Sequence, residues 1–431
     1  MDSQIYGPHD KPPLQKWIPL SFQHVFAMFG ATVLVPLLTG LSTSTALFTA
    51  GTGTLIYIAI TGAKVPAFLG SSFAFIPALI AIGQQYGVAY AMGGSIFAGI
   101  FYCIVAAVIR VAGKGWIDRA LPPVVIGSVI IVIGLGLAPT AINEAFYNNG
   151  EYSLVCLSIA FVTLSIAVVA TIFFRGFFNT LSILIGLVGG YIFTLVMGLF
   201  FPAYHLIDFA AVKEARWFAL PFLQTGADGH YFWMAPKFNF VAILTFVIVS
   251  ISTVCEHLGD TLTTSTVVGK DFYKDPGLHR TLAGDGLATA WAALWGGPPN
   301  TTYGENIGVM AITKVYSVWV IGGAAVIAVL LSFCQKFGAL ISTIPTPVLG
   351  GICTLLYGLI ASSGLRTIVE SGVNYQDKRN LTISSVILVL GIGGGVLQFK
   401  IGDSFNFSLG GVALATVAGI VLNLVIPKSE K

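Results

Sequence analysis

Three carboxylates, Glu256, Asp260 and Glu305, stand in stretches of sequence that are otherwise apolar. At the centre of a membrane-spanning helix each would cost about 2.5 to 3.5 kcal/mol, so each asks for a task. Glu256 and Asp260 are four residues apart and share one face of a helix. Two acids held that close in an apolar medium resist being charged together, which suits reversible proton uptake. Asp260 has a second reading, as a cap or hydrogen-bonding partner of a neighbouring helix. His24 and His257 lie at similar depth and read first as helix-to-helix hydrogen-bonding groups. Asp285, close to Arg280, reads as an interfacial charge. Phe73, Tyr303 and Tyr357 either fill space or offer their faces to a flat heteroaromatic ligand.

The elements that must hold these residues span a membrane. Of 431 residues, 56% are hydrophobic and 9% charged, with a mean hydropathy of +0.88, too little charge to cover a soluble globule of this size. Nine stretches lack Asp, Glu, Lys and Arg, and two of them, 17–63 and 65–109, are long enough for two crossings each. Turn residues divide those two at Gly40 to Ser44 and at Gly83 to Gly87. With the segments near 238–265, 281–297 and 298–313, the chain is expected to make fourteen crossings. Counted from a cytoplasmic N-terminus, sixteen of the 21 Lys and Arg fall on cytoplasmic segments, and only Lys213, Arg216, Lys237, Lys336 and Lys400 fall outside.

The formal net charge of +3 therefore follows from membrane orientation. No loop concentrates Lys and Arg among aromatics, so nucleic-acid binding is not expected. The five cysteines are scattered singly, without a CxxC pair or a His at metal spacing, and read as packing residues. Neither a metal nor another cofactor is expected. The segment Met1 to Lys16, with Pro8, Pro12 and Pro13, lacks the apolar core of a signal peptide.

The two halves of the chain resemble each other in order. Gln23-His24-Val25 matches Glu256-His257-Leu258; Ser71-Ser72-Phe73-Ala74 matches Thr301-Thr302-Tyr303-Gly304; Leu121-Pro122 through Gly127 matches Ile344-Pro345 through Gly350. Seven crossings per copy would invert one copy against the other, an arrangement that encloses a site near the bilayer midplane. Taken singly, such Ser, Thr and Gly strings equally serve close helix packing. In the second pair, Pro66, Gly70, Ser71 and Ser72, and then Gly296 through Thr302, interrupt apolar segments with residues that disfavour helix. Unpaired backbone at this depth is costly, so two short extended pieces crossing each other are expected. The helices that follow, from about Phe75 and about Glu305, would aim their N–H groups at the site.

Asn300-Thr301-Thr302-Tyr303-Gly304-Glu305-Asn306-Ile307-Gly308, continuing to Thr313-Lys314, resembles the signature of the nucleobase–ascorbate transporter family. Gln23-His24 resembles its first-helix motif, and Gly70-Ser71-Ser72-Phe73 and the Glu256-His257 helix extend the likeness over nearly the whole chain. The pattern is nearest to the bacterial uracil-carrying branch. The resemblance implies an all-α membrane protein with fourteen segments as a 7+7 inverted repeat, its third and tenth segments interrupted by short strands. It implies a core domain of residues 17–112 and 237–336, a gate domain of 120–200 and 337–427, an extracellular loop of 201–236, and a homodimer through the gate. Carried over by motif, Glu256 and Glu305 would hold the substrate edge, backbone N–H groups at Phe73 and Gly304 would meet its carbonyls, and Ser72, Tyr303 and Tyr357 would line the pocket. Gln23, His24, His257 and Asn306 would support it, with Glu256 and Asp260 coupling to the proton.

Uracil and a proton are thus the expected co-transported ligands, in a multi-pass cell-membrane protein with both termini cytoplasmic. The chain departs from the uracil pattern at Asp260, where a His is usual and purine carriers tend to have Asp; Glu305, often Gln in purine carriers, points back to uracil. A xanthine-type carrier is the near alternative. An anion transporter of similar architecture is disfavoured by three acids around one cavity. A channel fits interrupted segments less well than alternating access does. An intramembrane enzyme lacks a metal-binding His-Glu-x-x-His, a Gly-x-Ser-x-Gly or a P-loop, so the chain is not expected to be an enzyme.

Overall fold

The computed structural model describes residues 6–148, 150–200, 207–223, 233–401 and 405–427. The fold is mostly helical. In chain order come α1 Leu14–Thr39, α2 Thr43–Ile60, β1 Leu69–Ser71, α3 Ile76–Tyr86, α4 Val88–Ala112, α5 Gly115–Ala120, α6 Pro123–Leu135, α7 Ala138–Phe146, β2 Tyr147–Asn148, β3 Glu151–Tyr152, α8 Leu154–Phe173, α9 Phe177–Thr180 and α10 Ser182–Phe200. The second half holds α11 Ala210–Glu214, α12 Phe240–Val268, α13 Leu278–Leu294, β4 Asn300–Thr302, α14 Gly304–Thr313, α15 Val318–Ser332, α16 Gln335–Ser342, α17 Thr346–Glu370, α18 Lys378–Ile392, β5 Val396–Ile401, β6 Phe405–Gly410 and α19 Gly411–Val425. Of the expected loop 201–236, residues 201–206 and 224–232 lie outside the described residues.

Helix boundaries follow local chemistry. Ser42, Ser153, Asn239 and Asp377 each accept a first-turn N–H of the helix they open. Gly40 and Gly269 end α1 and α12 in the left-handed conformation. Among the described residues eight spans are long and apolar enough to cross a bilayer: α1, α2, α4, the continuous 123–146 stretch of α6 and α7, α8, α10, α12 and α17. α15 and α16 meet the same test only when taken together, and they are bent by 85° against each other. Shorter apolar helices run over Phe73–Tyr86 and Gly411–Val425.

The helices pack in two groups. In one, α4 lies on α13 and α12, α2 on α13 and α15, and α1 on α15. In the other, α17 lies on α6, α7 and α8, α10 on α8, and α18 on α6 and α19. The groups meet chiefly where α12 touches α6 and α19. Close packing inside each group depends on small residues: a methyl group at Gly286 would stand 2.7 Å from the Gly99 carbonyl, and one at Gly364 2.6 Å from the Gly127 carbonyl.

β1 and β4, far apart in sequence, pair antiparallel with Leu69 opposite Thr302, Gly70 opposite Thr301 and Ser71 opposite Asn300. The first residues of the chain fix the far end of α14. Tyr316 N donates to Tyr6 O at 2.7 Å, Val318 N to Pro8 O at 2.9 Å, and Trp17 Nε1 to Trp319 O at 2.6 Å.

Candidate functional site

The site is built on the crossing of β1 and β4. The ladder continues past both strand ends, with Ser72 N donating to Pro299 O at 2.9 Å and Tyr303 N to Phe68 O at 3.0 Å. Neighbouring helices satisfy the outer edges: Thr54 Oγ1 accepts from Leu69 N and donates to Leu69 O, Thr289 Oγ1 donates to Asn300 O, and Asn300 Nδ2 donates to Thr49 O. These bonds give the extended backbone of both strands partners within the fold. Gly70 is required by close approach, since a Cβ there would stand 2.5 Å from the Tyr303 ring. That ring is held by its hydroxyl, which accepts from Thr32 Oγ1 at 3.2 Å and donates to Ser71 O at 3.1 Å. Tyr303 therefore offers a ligand its ring and backbone, its hydroxyl being committed.

Each strand turns into a helix. Phe73 opens a short 3-10 turn leading into α3, and Gly304 opens α14; neither Ser72 nor Tyr303, the residues just before them, caps the helix start with its side chain. Gly304 and Gly308 are exposed, with no atom within 4 Å of the position a Cβ would take. Phe73 is buried and packs edge-on to Tyr357 of α17, ring centroids 5.7 Å apart. Phe73 and Tyr357 thus join the two helix groups at the site.

The acids converge from two helices. Glu256 and Asp260 lie one turn apart on α12 and Glu305 lies in the first turn of α14; all three are partly buried. They are near enough for the charges of Asp260, Glu305 and the further acid Asp285 to act on Glu256. Asp260 Oδ2 accepts a 2.8 Å hydrogen bond from Thr302 Oγ1, tying α12 to β4. Thr301, the preceding strand residue, lies beside Glu256. Yet Glu256 Oε2 and Thr301 Oγ1 are both enclosed and without hydrogen-bond partners among the described residues.

Two buried histidines brace this arrangement. Asn306 Nδ2 reaches both Nδ1 and the carbonyl oxygen of His24, each at 3.1 Å, and so joins α14 to α1. His257 lies behind Glu256, its Nδ1 2.8 Å from Asp285 Oδ2 and its Nε2 3.0 Å from Thr281 Oγ1. Asp285 is not the interfacial charge expected from its nearness to Arg280: it is wholly buried in α13 and paired with His257. Its signal in the sequence was an acid inside a crossing segment. Thr302 was readable only as part of a strand, since its bond to Asp260 joins residues 42 apart.

Ser72 Oγ, Gln23 Oε1, Asn306 Oδ1 and the Tyr357 hydroxyl also lack partners among the described residues. A buried polar group left unpaired costs about 1–3 kcal/mol. Of these groups Ser72 and Thr301 lie on the crossing itself, with Thr301 beside Glu256, where a small ligand with a polar rim could satisfy them. Carboxylates can accept from ring N–H groups, helix starts can donate to carbonyls, and Phe73, Tyr303 and Tyr357 supply aromatic surface.

Residues 15–399 match the Permease family (Xan_ur_permease). The chain is 48% identical over 431 residues to the uracil permease of Bacillus subtilis (strain 168), covering 99% of this chain and 96% of that one. It is 43% identical over 429 residues to the uracil permease of Escherichia coli (strain K12), covering 99% and 94%. Among solved structures, the murine Solute Carrier 26 family member A9 anion transporter in the inward-facing state is similar with a TM-score of 0.69 at 10% identity, over 96% of this chain and 68% of that one. A likeness at that identity speaks for the fold alone, that of a multi-pass helical membrane protein.

Proposed function

The chain belongs to this family of nucleobase permeases, the nucleobase–ascorbate transporters, and on that premise we propose that it imports uracil together with a proton by alternating access. It is a transporter and not an enzyme. The observation that carries the substrate reading is the meeting of Glu256 and Glu305 with two uncapped helix starts across the β1–β4 crossing. Uracil alternates N–H donors and carbonyl acceptors around one rim, the pattern that two acids and the N–H groups of Phe73 and Gly304 can answer. Its ring lies among Phe73, Tyr303 and Tyr357, with Ser72 at the edge. The relatives whose names carry uracil support this choice. A xanthine-type substrate is the second reading, favoured by Asp260.

In this reading the chain makes fourteen segments as a 7+7 inverted repeat, with β1 and β4 interrupting the third and tenth. The group around α4 and α13 is the core domain and the group around α17 is the gate. The Lys and Arg distribution supports cytoplasmic termini. The exposed apolar faces of α8 and α10 are the surface available to a homodimer through the gate, as to lipid.

Proton coupling rests on Glu256 and Asp260. A proton from outside neutralises one of them, uracil binds, and the core moves against the gate to release both inside. Because Thr302 links Asp260 to β4, a change of charge at Asp260 is felt by the strand that leads into α14. His257 and His24 hold α12 and α14 in register with their neighbours.

Purified protein in liposomes with an acidic exterior should concentrate labelled uracil, and a protonophore should abolish that accumulation. Uptake indifferent to the protonophore would remove the symport claim; xanthine outcompeting uracil would remove the substrate assignment.

A further inference from the structure

A fifth acid, besides Glu256, Asp260, Glu305 and Asp285, stands at the end of an apolar stretch in the group of helices proposed as the gate. Glu144 lies in the last turn of α7, just before the surface hairpin of β2 and β3. It is partly exposed, yet its Oε2 is enclosed and has no hydrogen-bond partner among the described residues. The described salt bridges do not involve it. The backbone of α7 is pressed onto α17 at this level, where a Cβ on Gly350 would stand 2.8 Å from Ala145 Cα. Glu144 is thereby brought near Cys353 and Tyr357, close enough for its charge to act on both. The other titratable groups on elements packed against α7 are Cys156 of α8, Tyr147, Glu151 and Tyr152 at the surface, and Arg366 and Glu370 of α17; the cation among them, Arg366, stands 13 residues beyond Cys353, about 20 Å along the helix. Tyr357, whose hydroxyl is also unpartnered, touches Phe73 at the site.

An acid with one oxygen sealed inside, no cation beside it among the described residues and a nearby tyrosine that also touches the site has the layout of a proton relay. We propose that Glu144 is the gate's outer proton-uptake residue, a positioning group that takes a proton from the external medium and delivers it toward the site through Tyr357. In the relay step the Glu144 carboxyl gives its proton to the Tyr357 oxygen as that hydroxyl releases its own toward the site acids. One proton moves and both residues return to their starting forms.

The inference rests on the proton-symport reading, and one assay separates the two. In liposomes, Glu144→Gln should lower gradient-driven uracil uptake at least fivefold and flatten its dependence on external pH. Counterflow of labelled uracil at equal acidic pH on both sides should stay within twofold of the unaltered protein. Glu144→Asp, which keeps the acid, should restore the external-pH dependence. A native pH profile in Glu144→Gln overturns the inference, as does a matching loss of counterflow or a failure of Glu144→Asp to restore the profile. Protonophore-insensitive uptake by the unaltered protein overturns the symport reading instead.

Discussion

The two strands that cross at the site are near equals in backbone and unequal in everything attached to it. β1 and β4 pair over the same three positions, and each turns into an uncapped helix start. In the sequence match between the two halves, however, Phe75 stands where the second half has Glu305, and Gln23 where it has Glu256. Phe75 is fully buried and stacked on Phe246, ring centroids 5.7 Å apart. Ala74 and Ala78, 2% and 4% exposed, correspond to the exposed Gly304 and Gly308. The shared backbone supplies a geometry that neither copy builds alone, while the acids all come from the second. The contrast also has a direction. Open space runs along α14 toward Lys314, with Gly304, Gly308 and Ile312 exposed, while the matching face beside α3 is packed.

If the second copy carries the chemistry, Glu256→Gln should weaken uracil binding roughly 10- to 150-fold, the loss of one strong charged hydrogen bond. Gln23→Ala should cost under about fivefold. Equilibrium binding of labelled uracil to purified protein measures both, and equal losses would erase the distinction. If both copies share the backbone role, Gly70→Ala should destabilise by about 1–3 kcal/mol by driving a methyl group into the Tyr303 ring, seen as a lowered unfolding temperature in detergent. Thr302→Val removes the hydroxyl that bonds Asp260 and should slow proton-driven uptake about three- to tenfold while leaving the unfolding temperature little changed. An unaltered uptake rate would detach Asp260 from β4 in function. The smallest effect is expected at Gly308→Ala, whose new methyl group meets open space: stability should stay within about 0.5 kcal/mol. A large loss there would mean that the face beside α14 is packed like its counterpart.

Much of this architecture could be read from the chain itself because the membrane makes strong demands. Long uncharged stretches announce the spans, and an acid such as Glu256 or Glu305 inside one announces a site. Family-like motifs from Asn300 to Lys314 narrowed the reading further. What stayed hidden depends on partners. Asp285 looked interfacial because Arg280 is its neighbour in sequence, whereas its true neighbour is His257 on another helix. Thr302 and Asp260 meet only once β4 has been laid against α12. Glu144 falls just past an apolar stretch that ends at Asn143, so nothing in the linear order marks it as lying near Tyr357.

The pairing of β1 with β4 also sets a schedule. Roughly 230 residues separate the strands, so at 5–20 residues per second the ribosome needs about 10 to 50 seconds after making Leu69–Ser71 before a partner exists. Through that interval the first strand waits in the membrane with its ladder groups unmatched, dependent on the half-built bundle or the insertion machinery for cover. Late nonsense or frameshift truncations that keep α1 to α12 but end before Asn300 should therefore be poorly tolerated by the cell, because they leave that edge without its partner for good.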